Sequence, residues 1–414
     1  MKILLVSGTT QHGFLLQHLQ SEGNEVRFLL PREADHREYE NILEKVYTPK
    51  EAVDDWKPEL VLFDGPGYGQ LAKRIPAGVM IVNGGIINDS LASDHAFALS
   101  VASRAGVNVV PTRYASDHAD ASYWVYTEEK TGPKRWSHRG NVYQSGEDLL
   151  SDVQEFSSDH PIREEFPGPS YVFAGMYSGK YFCGPPLLVH TEQGLLQHGG
   201  LRTEEACTLS PITKSKVTEI FEKMERVFAA LRYVGWVFVQ MQARPGSTQL
   251  QVRDIQIKPP TGFWAAWVGG VQTNVGDILR RLAKEKRFRY SFSEGYTAAV
   301  KLTLPPYPYA DLPGISRKAV EDIVIPLPNG SERTLLWQQA RRNGSTDHLL
   351  TTGAEIGYAV VNSQEVSQIP WDLERECSSL REKVPTLQHK ANVGDFLGYE
   401  IASLASFETF EQGV

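Results

Sequence analysis

The sequence predicts a protein of mixed α/β and α+β architecture that is divided into several domains. Segments with strand and helix patterns alternate through residues 1–112, which is typical of a doubly wound parallel sheet. Residues 113–185 are instead rich in aromatic and β-branched side chains, which favour antiparallel strands. The chain of 414 residues is also too long for one ordinary hydrophobic core.

The alternation is clearest in the first 112 residues. The segment KILLVS at 2–7 has the apolar run of a buried parallel strand, and the helical spacing of FLLQHLQSEG ends at a glycine. The next predicted elements, in order, are the strand EVRFLL, the strand ELVLFDG at 59–65, a helix over 68–75, the strand VMIVNGG at 79–85 and a helix over 94–105. This order predicts one α/β domain over 1–112.

Three further domains are predicted from changes in pattern. Residues 113–185 contain the strands YWVYTEE and SYVFAGMYSGKYFC, with a helix near 146–156 between them. Residues 186–325 contain the charged helix SKVTEIFEKMERVFAALRYVG, the strands WVFVQMQ and LQVRDIQIK, and the helix NVGDILRRLAKEK. Residues 326–414 have short strands and a helix over 371–383, which predicts a small C-terminal α+β domain.

Composition and charge narrow the classes of function. A net charge of −8 argues against a dominant electrostatic grip on nucleic acid. The three scattered cysteines form no zinc motif and fit a reducing compartment. The start MKILLVSGTT indicates a buried strand rather than a signal peptide, and no apolar stretch approaches the roughly 20 residues that span a bilayer. We therefore expect a cytoplasmic protein without a membrane partner.

The segment VRDIQIKPPTG at 252–262 places three polar side chains at the end of a strand. Because side chains alternate along a strand, Asp254, Gln256 and Lys258 should project from one face. Carboxylate and amide oxygens are ligands that Mg²⁺ prefers, and a lysine beside them can neutralise phosphate charge. The spacing alone equally fits an exposed strand face with ordinary polar residues, which is the commoner case.

The order of several weak motifs along the chain resembles the ATP-grasp superfamily, and within it phosphoribosylamine–glycine ligase. The strand D-I-Q-I-K-P-P-T-G stands where that family has E-x-N-x-R-x-G-D-P-E. The other similar segments, in chain order, are SGTTQHGFL, LASDHAFALSVASRAGVNVVPT, REEFPG, HGGL, TTGAEIGYAVVNSQEVSQI and LQHKANVGDFLG. Together they extend the resemblance over nearly the whole sequence.

This resemblance implies an ATP-grasp fold with an N-terminal doubly wound domain (1–112), a small lobe (113–185), a large lobe (186–325) and a C-terminal α+β domain (326–414). It also implies an ATP-dependent carboxylate–amine ligase that works through an acyl phosphate, with ATP and Mg²⁺ as cofactors. The expected substrates are small molecules, namely an amino acid and an amine carried on a nucleotide or sugar phosphate.

The resemblance also assigns roles to individual residues. Asp254 and Gln256 correspond to the metal ligands, while Lys258 and Arg244 are expected to contact phosphate or the acyl phosphate. The residues expected to bind the nucleotide are Glu164 and Glu165 at the adenine hinge, Lys130 and Lys134 in the basic turn, and Gly199 and Gly200 in HGGL.

Two departures from the family pattern open alternatives. The family's flap V-V-K-A-D-G-L-A-A-G-K-G-V corresponds here to YWVYTEEKTGPKRWSHRGN, which lacks the phosphate-binding lysine and most glycines. The acid expected for the ribose is replaced by GPSY. These losses suit a ligase for a different acceptor, such as a modified nucleobase amine, or a non-catalytic ATP-grasp protein that acts in binding or scaffolding. An oxidoreductase is disfavoured because no proper GxGxxG is present.

The glycines of DGPGYGQ, Gly65, Gly67 and Gly69, follow a predicted strand. Such a turn either binds phosphate through its N–H groups or simply joins strand to helix tightly, and the sequence leaves both interpretations open. Trp264 and Trp267 in GFWAAW are expected to pack in the core.

Overall fold

The computed structural model of the chain describes most of its length. The described residues are 1–8, 10–110, 112–114, 123–128, 137–143, 161–163, 170–194, 204–214, 216–243, 249–284, 286–309, 320–326, 334–342, 348–405 and 411–412. The predicted helix near 146–156 lies outside these ranges. The domain limits stay predictions, and the elements below are given as the structure has them.

The N-terminal part forms a parallel sheet, as the alternating pattern predicted. Its described strands are β1 (Lys2–Val6), β2 (Glu25–Leu29), β3 (Lys45–Val46), β4 (Leu60–Phe63) and β5 (Met80–Val82), in the order β3-β2-β1-β4-β5. The central strands β1 and β4 are buried on both faces because apolar side chains fill every position from Ile3 to Val6 and from Leu60 to Phe63.

In the described residues, four α-helices accompany this sheet. They are α1 (Gly13–Ser21), α2 (Gly69–Ala72), α3 (Ile86–Ser93) and α4 (His95–Arg104). The helix predicted over 68–75 is shorter than expected, and the helix predicted over 94–105 is confirmed. Its start is fixed by Asp94, whose side chain accepts a hydrogen bond of 2.9 Å from the N–H of Phe97.

Within the described residues, a nine-stranded sheet forms the second and larger layer. The main path runs β14-β13-β10-β11-β12-β15-β20-β17, and β21 pairs with β12. These strands are β10 (Ser170–Tyr177), β11 (Phe182–Gln193), β12 (Glu204–Lys214), β13 (Gly235–Ala243), β14 (Leu250–Gln256), β15 (Tyr296–Thr303), β17 (Leu335–Trp337), β20 (Glu355–Ser363) and β21 (Glu411–Gln412). Strands from residues 170–303 and from residues 335–412 therefore share one continuous sheet.

The remaining strands form small sheets. They are β6 (Thr112–Tyr114) with β9 (Pro161–Arg163), β7 (Tyr123–Glu128) with β8 (Ser137–Tyr143), and β19 (His348–Thr351) between β16 (Val324–Pro326) and β18 (Ala340–Arg342). The strand predicted at YWVYTEE is thus confirmed as β7.

Helices cover both faces of the large sheet. The described ones are α5 (Lys216–Leu231), α6 (Phe263–Gly270), α7 (Val275–Ala283), α8 (Ile369–Arg381) and α9 (Leu397–Ala405). Helix α5 buries Phe221 and Phe228 on one face, and α6 packs Trp264 and Trp267 on the other. Both tryptophans are core residues, as expected, and the packing of α6 gives the sheet its second apolar layer. No described helix has the length and apolar composition to cross a bilayer.

The residues that follow α1 are joined to the start of α7. The carboxylate of Glu22 accepts hydrogen bonds of 2.7 Å and 2.9 Å from the N–H groups of Val275 and Gly276. A carboxylate at a helix N-terminus is stabilised by the orphan N–H groups and by the helix dipole. This contact links the N-terminal sheet and its helices to the part of the chain that carries α7.

The C-terminal segment is held to β11 by a buried ionic cluster. Nδ1 of His190 lies 2.9 Å from Oε2 of Glu400, and Nε2 lies 3.4 Å from Oε1 of Glu192. Nζ of Lys390 lies 3.7 Å from the other oxygen of Glu192. Burial alone would lower the pKa of His190, but hydrogen bonding and attraction to Glu192 and Glu400 raise it to about 9.

Because of this cluster, we expect the free energy of unfolding to fall as the pH rises towards 9. The pKa of His190 rises from 6.5 to about 9 on folding, so its stabilising charge is fully present below pH 6.5 and disappears as the pH rises through 9. We expect His190→Gln to lower the free energy of unfolding near pH 6 by about 1 to 3 kcal/mol. The difference between variant and parent should shrink towards pH 9.5 in urea titrations. A difference that does not change with pH would contradict the assignment.

Candidate active site

The end of β14 presents the polar residues that the sequence singled out. Asp254 is half-buried, whereas Gln256 and Lys258 are exposed. The side-chain N–H of Gln256 donates a 2.9 Å hydrogen bond to Oδ2 of Asp254. The acid and the amide are therefore in direct contact, whereas the base, Lys258, lies two residues beyond the end of β14.

A β-bulge sets which residues of β14 face this side. Gln240 of β13 pairs with Asp254, but the next residue, Met241, pairs with Val252, so Arg253 is the extra residue. Val252 and Ile255 are consequently both buried in the same apolar cluster, although they are three positions apart and strict alternation would put them on opposite faces. Simple alternation along the strand would have placed Val252 beside Asp254 on the polar face.

The composition of this strand end suits a divalent cation that also binds phosphate. One carboxylate and one amide oxygen are a sparse set for a metal held by protein alone, and the described residues contain no group of three or more acidic, histidine or cysteine ligands. Mg²⁺ commonly takes one or two protein oxygens and completes its shell with water and substrate phosphate. Asp254 and Gln256 fit that mode of binding.

A second polar cluster crosses three neighbouring strands of the same sheet. The hydroxyl of Tyr307 donates a 2.6 Å hydrogen bond to Oε1 of Glu205, and Nζ of Lys301 donates one of 3.2 Å to the Tyr307 hydroxyl. Nζ of Lys301 also lies 3.6 Å from Oε1 of Glu355. Glu205 and Lys301 are only 1% and 4% exposed. We call these four residues, Glu205, Lys301, Tyr307 and Glu355, the buried charge cluster.

A bulge also brings Glu205 to the buried charge cluster. On β11, Glu192 pairs with Ala206 and Gln193 pairs with Glu204, so Glu205 is left without a register partner there. Ala206 pairs with Val300 of β15, which places Glu205 beside Lys301. Bulges often redirect a side chain next to a functional site.

The segment after Lys258 runs from the end of β14 to Gly262, which packs against residues that neighbour the buried charge cluster. A Cβ atom on Gly262 would lie 3.0 Å from Cβ of Cys207, two residues from Glu205. The same atom would lie 3.6 Å from the ring of Tyr358, which pairs with Lys301. Burial raises the pKa of the Tyr358 hydroxyl well above its usual range, and the nearby Glu355 adds to this effect. Tyr358 therefore contributes a neutral hydroxyl.

The carboxyl edge of the parallel sheet, where β1 and β4 end, contacts the buried charge cluster through Gln11. The side chain of Gln11 donates a 3.0 Å hydrogen bond to Oε2 of Glu355. The next residue, His12, has its Nδ1 2.8 Å from Oδ2 of Asp64, which also accepts a hydrogen bond from the hydroxyl of Ser7. Ligands of open α/β sheets bind at this edge. Two parts of the chain far apart in sequence therefore meet here.

The DGPGYGQ turn lies at the same edge of the sheet. Its backbone N–H groups are hydrogen-bonded to the side chain of Asp89. The two carboxylate oxygens of Asp89 accept hydrogen bonds of 2.6 Å from the N–H of Gly67 and 2.8 Å from the N–H of Gly69. Gly67 has φ +102°, which explains the glycine at that position. Of the two interpretations left open, the geometry favours a tight turn closed by an internal carboxylate.

The other predicted site residues lie outside the described residues. These are Arg244, Glu164, Glu165, Lys130, Lys134, Gly199 and Gly200. Sequence reasoning missed Glu205, Lys301, Glu355 and Asp89. A usable signal existed for Lys301, since a single lysine interrupts the apolar strand YTAAVKLT, and buried lysines are rare unless they are paired.

Comparisons with known proteins give a consistent result at the level of fold. No family model matches the sequence, and no curated protein matches it. The chain is similar to the solved structure of phosphoribosylamine–glycine ligase from Thermotoga maritima, with 12% identity, a TM-score of 0.60 and coverage of 94% of this chain and 98% of that one.

Two further solved structures are similar over comparable lengths. N5-carboxyaminoimidazole synthetase from Staphylococcus aureus has 12% identity, a TM-score of 0.55 and coverage of 91% of this chain and 96% of that one. The biotin carboxylase subunit of pyruvate carboxylase has 10% identity, a TM-score of 0.54 and coverage of 94% and 91%. The chain therefore has the ATP-grasp fold that its motifs predicted, at a sequence distance that indicates strong divergence.

Proposed function

We propose that the protein is an ATP-dependent ligase that joins a carboxylic acid to an amine through an acyl phosphate. The observation that carries this proposal is the hydrogen-bonded contact between Asp254 and Gln256 at the end of β14, in a chain that has the ATP-grasp fold. Lys258 follows two residues beyond this strand and is exposed. One of the similar solved structures, N5-carboxyaminoimidazole synthetase from Staphylococcus aureus, was also determined as a complex with ADP. That complex supports a nucleotide as the ligand of this fold.

The strand end would hold the reacting phosphates. Asp254 and Gln256 would ligate Mg²⁺, which supplies charge stabilisation on the transferred phosphoryl group when it is bound. Lys258, which is exposed two residues after the strand, would contact a phosphate oxygen. In this proposal the protein provides no covalent nucleophile, and the described residues act by orientation and by fixed charge.

The remaining assignments rest on the sequence resemblance. Arg244 would assist Lys258 at the acyl phosphate, and a carboxylate substrate would attack the γ-phosphorus while ADP leaves. An amine would then displace phosphate and form the amide bond. The proposed nucleotide contacts are Glu164, Glu165, Lys130, Lys134, Gly199 and Gly200. The acid, the amine and the compartment are not specified by these residues.

Calorimetry with ATP and Mg²⁺ tests the proposal and separates it from a non-catalytic role, with which the altered flap sequence is equally compatible. Micromolar binding of ATP, together with ADP release in a mixture of amino acids and amines, is the expected result. Binding without ADP release under any acceptor would favour the scaffold alternative. If ATP does not bind in the presence of Mg²⁺, both the ligase and its nucleotide site are wrong.

A further inference from the structure

His12 lies at the carboxyl edge of the parallel sheet with one ring nitrogen held and the other available. Its Nδ1 is 2.8 Å from Oδ2 of Asp64, which also accepts a hydrogen bond from the Ser7 hydroxyl. Because a carboxylate only accepts hydrogen bonds, we assign the proton of the neutral ring to Nδ1 and the free electron pair to Nε2. Within the described residues, Nε2 has no hydrogen-bond partner.

The two side chains differ in burial in the way that a supported base requires. The side chain of Asp64 is 6% exposed, whereas that of His12 is 18% exposed. A buried carboxylate behind an accessible imidazole fixes the orientation of the ring and stabilises its positive charge after it takes up a proton. We call His12 and Asp64 the imidazole–carboxylate pair.

Tyr68 is a further titratable side chain near this pair. Burial, and then the charge of Asp64, raise the pKa of its hydroxyl to about 12, so Tyr68 stays neutral. Histidine is the type of side chain that ordinarily takes up and releases a proton near neutral pH. Of these groups, His12 is therefore the one suited to proton transfer.

Open space lies over the strand ends beside the imidazole–carboxylate pair. A Cβ atom added to Gly65, which follows Asp64, would meet no described atom within 4 Å. The same is true of Gly85, which comes three residues after β5. On the inner side, a Cβ atom on Gly84 would clash with the ring of Phe63. The open side of this edge therefore has room for a small molecule.

The segment 258–262 begins beside this edge. Asn83, the residue after β5, accepts a 2.7 Å hydrogen bond from the backbone N–H of Trp236. Trp236 stands two residues before Phe238, which pairs with Gln256 at the end of β14. Because β13 and β14 are antiparallel, Asn83 lies just beyond the end of β14, in the direction that the chain takes after the strand.

The same segment also ends beside this edge. A Cβ atom on Gly262 would lie 3.6 Å from the ring of Tyr358, and the ring centroids of Tyr358 and Phe14 are 5.9 Å apart. Phe14 is two residues after His12, and the centroids of these two rings are 6.1 Å apart. Since β4 lies between β1 and β5, the imidazole–carboxylate pair stands between the two points where segment 258–262 approaches the sheet.

We propose that His12 is the general base of the ligase reaction and takes a proton from the acceptor amine. This inference rests on the proposed ligase function. The amine arrives as an ammonium, which cannot attack until it has lost a proton. Nε2 of His12 accepts that proton, and Asp64 stabilises the imidazolium that forms. Asp64 is thus a positioning residue, and His12 is the catalytic one.

The remaining protons and electrons are then accounted for. The electron pair freed on the amine nitrogen attacks the carbonyl carbon of the acyl phosphate, and the C–N bond forms. The bond from that carbon to the phosphate oxygen breaks, and its electron pair leaves with the phosphate. The second nitrogen proton goes to this departing group, which leaves as hydrogen phosphate. The imidazolium of His12 returns its proton to water.

Nitrogen NMR of the full-length protein tests the assignment of the ring proton without any substrate. The resonances of His12 are identified by their absence in His12→Ala. In the neutral ring we expect Nδ1 to have the chemical shift of an N–H nitrogen and Nε2 that of an unprotonated one. Asp64→Asn should weaken this preference, which a merely structural role of Asp64 would not affect.

Two kinds of nucleophile then separate proton transfer from the earlier steps. Methylamine and ethanolamine are protonated near neutral pH and need a base, whereas hydroxylamine is largely unprotonated and traps the acyl phosphate as a hydroxamate. Each is added with ATP, Mg²⁺ and a mixture of amino acids. In His12→Ala, kcat with the amines should fall by about a hundredfold or more, while hydroxamate formation should not change. Added imidazole should restore part of the lost amine turnover.

His348→Ala is the matched control, because His348 is an exposed histidine in β19 and the replacement is identical. It should leave both reactions unaltered. Asp64→Asn should lower kcat with the amines by about tenfold or more, again without loss of hydroxamate formation. The dissociation constant of ATP should be the same in all of these variants.

Three results would overturn the inference. They are a protonated Nε2 in the neutral His12 ring, amine turnover at the parental rate in a folded His12→Ala protein, or equal losses with amines and with hydroxylamine in that variant. Each of these leaves the proposed ligase function standing, because ATP binding and hydroxamate formation by the unmodified protein are measured separately. If the unmodified protein does neither, the ligase proposal itself is wrong.

Discussion

Replacing Asp254 with alanine should abolish ATP turnover, with a loss of at least about a hundredfold in the rate of ADP release. The side chain is half-buried at the end of β14 and is bonded to Gln256, so its oxygens occupy a fixed place. The alanine substitution deletes the one carboxylate of the proposed metal site. It also removes the hydrogen-bond acceptor of the Gln256 side-chain amide. The binding of ATP with Mg²⁺ should weaken in parallel when it is measured by calorimetry.

Asp55→Ala provides the matched control for this prediction. Asp55 is exposed in the N-terminal domain and should tolerate the change without loss of turnover. Asp254→Asn adds a second comparison, because it preserves shape and removes charge, and it should be nearly as inactive as the alanine variant. Normal turnover in a correctly folded Asp254→Ala protein would refute the assignment of this residue to the metal.

The largest effect on stability is expected at Trp264. This side chain is 1% exposed and packs edge-on against Trp236 and Trp267, with ring centroids 6.4 Å and 5.7 Å away. Replacing it with alanine leaves a large cavity where α6 meets the sheet, so the free energy of unfolding should fall by about 3 to 5 kcal/mol. Denaturant titration followed by circular dichroism measures this loss.

Trp371→Ala is the control for the tryptophan prediction. Trp371 lies in α8 and is 73% exposed, so the same chemical change should alter stability by no more than about 0.5 kcal/mol. A similar loss in both variants would show that α6 does not support the core in the way its packing indicates. The comparison isolates burial because the residue type and the replacement are identical.

The sequence alone predicted most elements of the N-terminal domain. Apolar runs such as KILLVS and ELVLFDG became β1 and β4, since strands buried on both faces need continuous apolar side chains. The sequence also predicted that Asp254 and Gln256 lie on the same side of the strand end, where their side chains are in contact, because alternation along a strand is a local property. Helix α6 was missed, since its residues are apolar on all sides and give no helical periodicity.

Local patterns could not predict the bulges. Alternation assigns Val252 and Asp254 to the same face, and only the pairing of β13 with β14 shows that Arg253 is an extra residue. The same holds for Glu205, whose direction depends on its register with β11. Register is decided by the contacts between strands, so the sequence of one strand alone does not predict it.

What the sequence determined by itself was the class of fold and the chemistry available at one strand end, because both follow from residue order over short distances. What only the tertiary structure decided was the buried charge cluster and its connection to the first domain. Gln11 and Glu355 are 344 positions apart, and Glu205, Lys301 and Glu355 come together only when β12, β15 and β20 pair. Contacts of this kind depend on how complete layers pack, and no short segment specifies that packing.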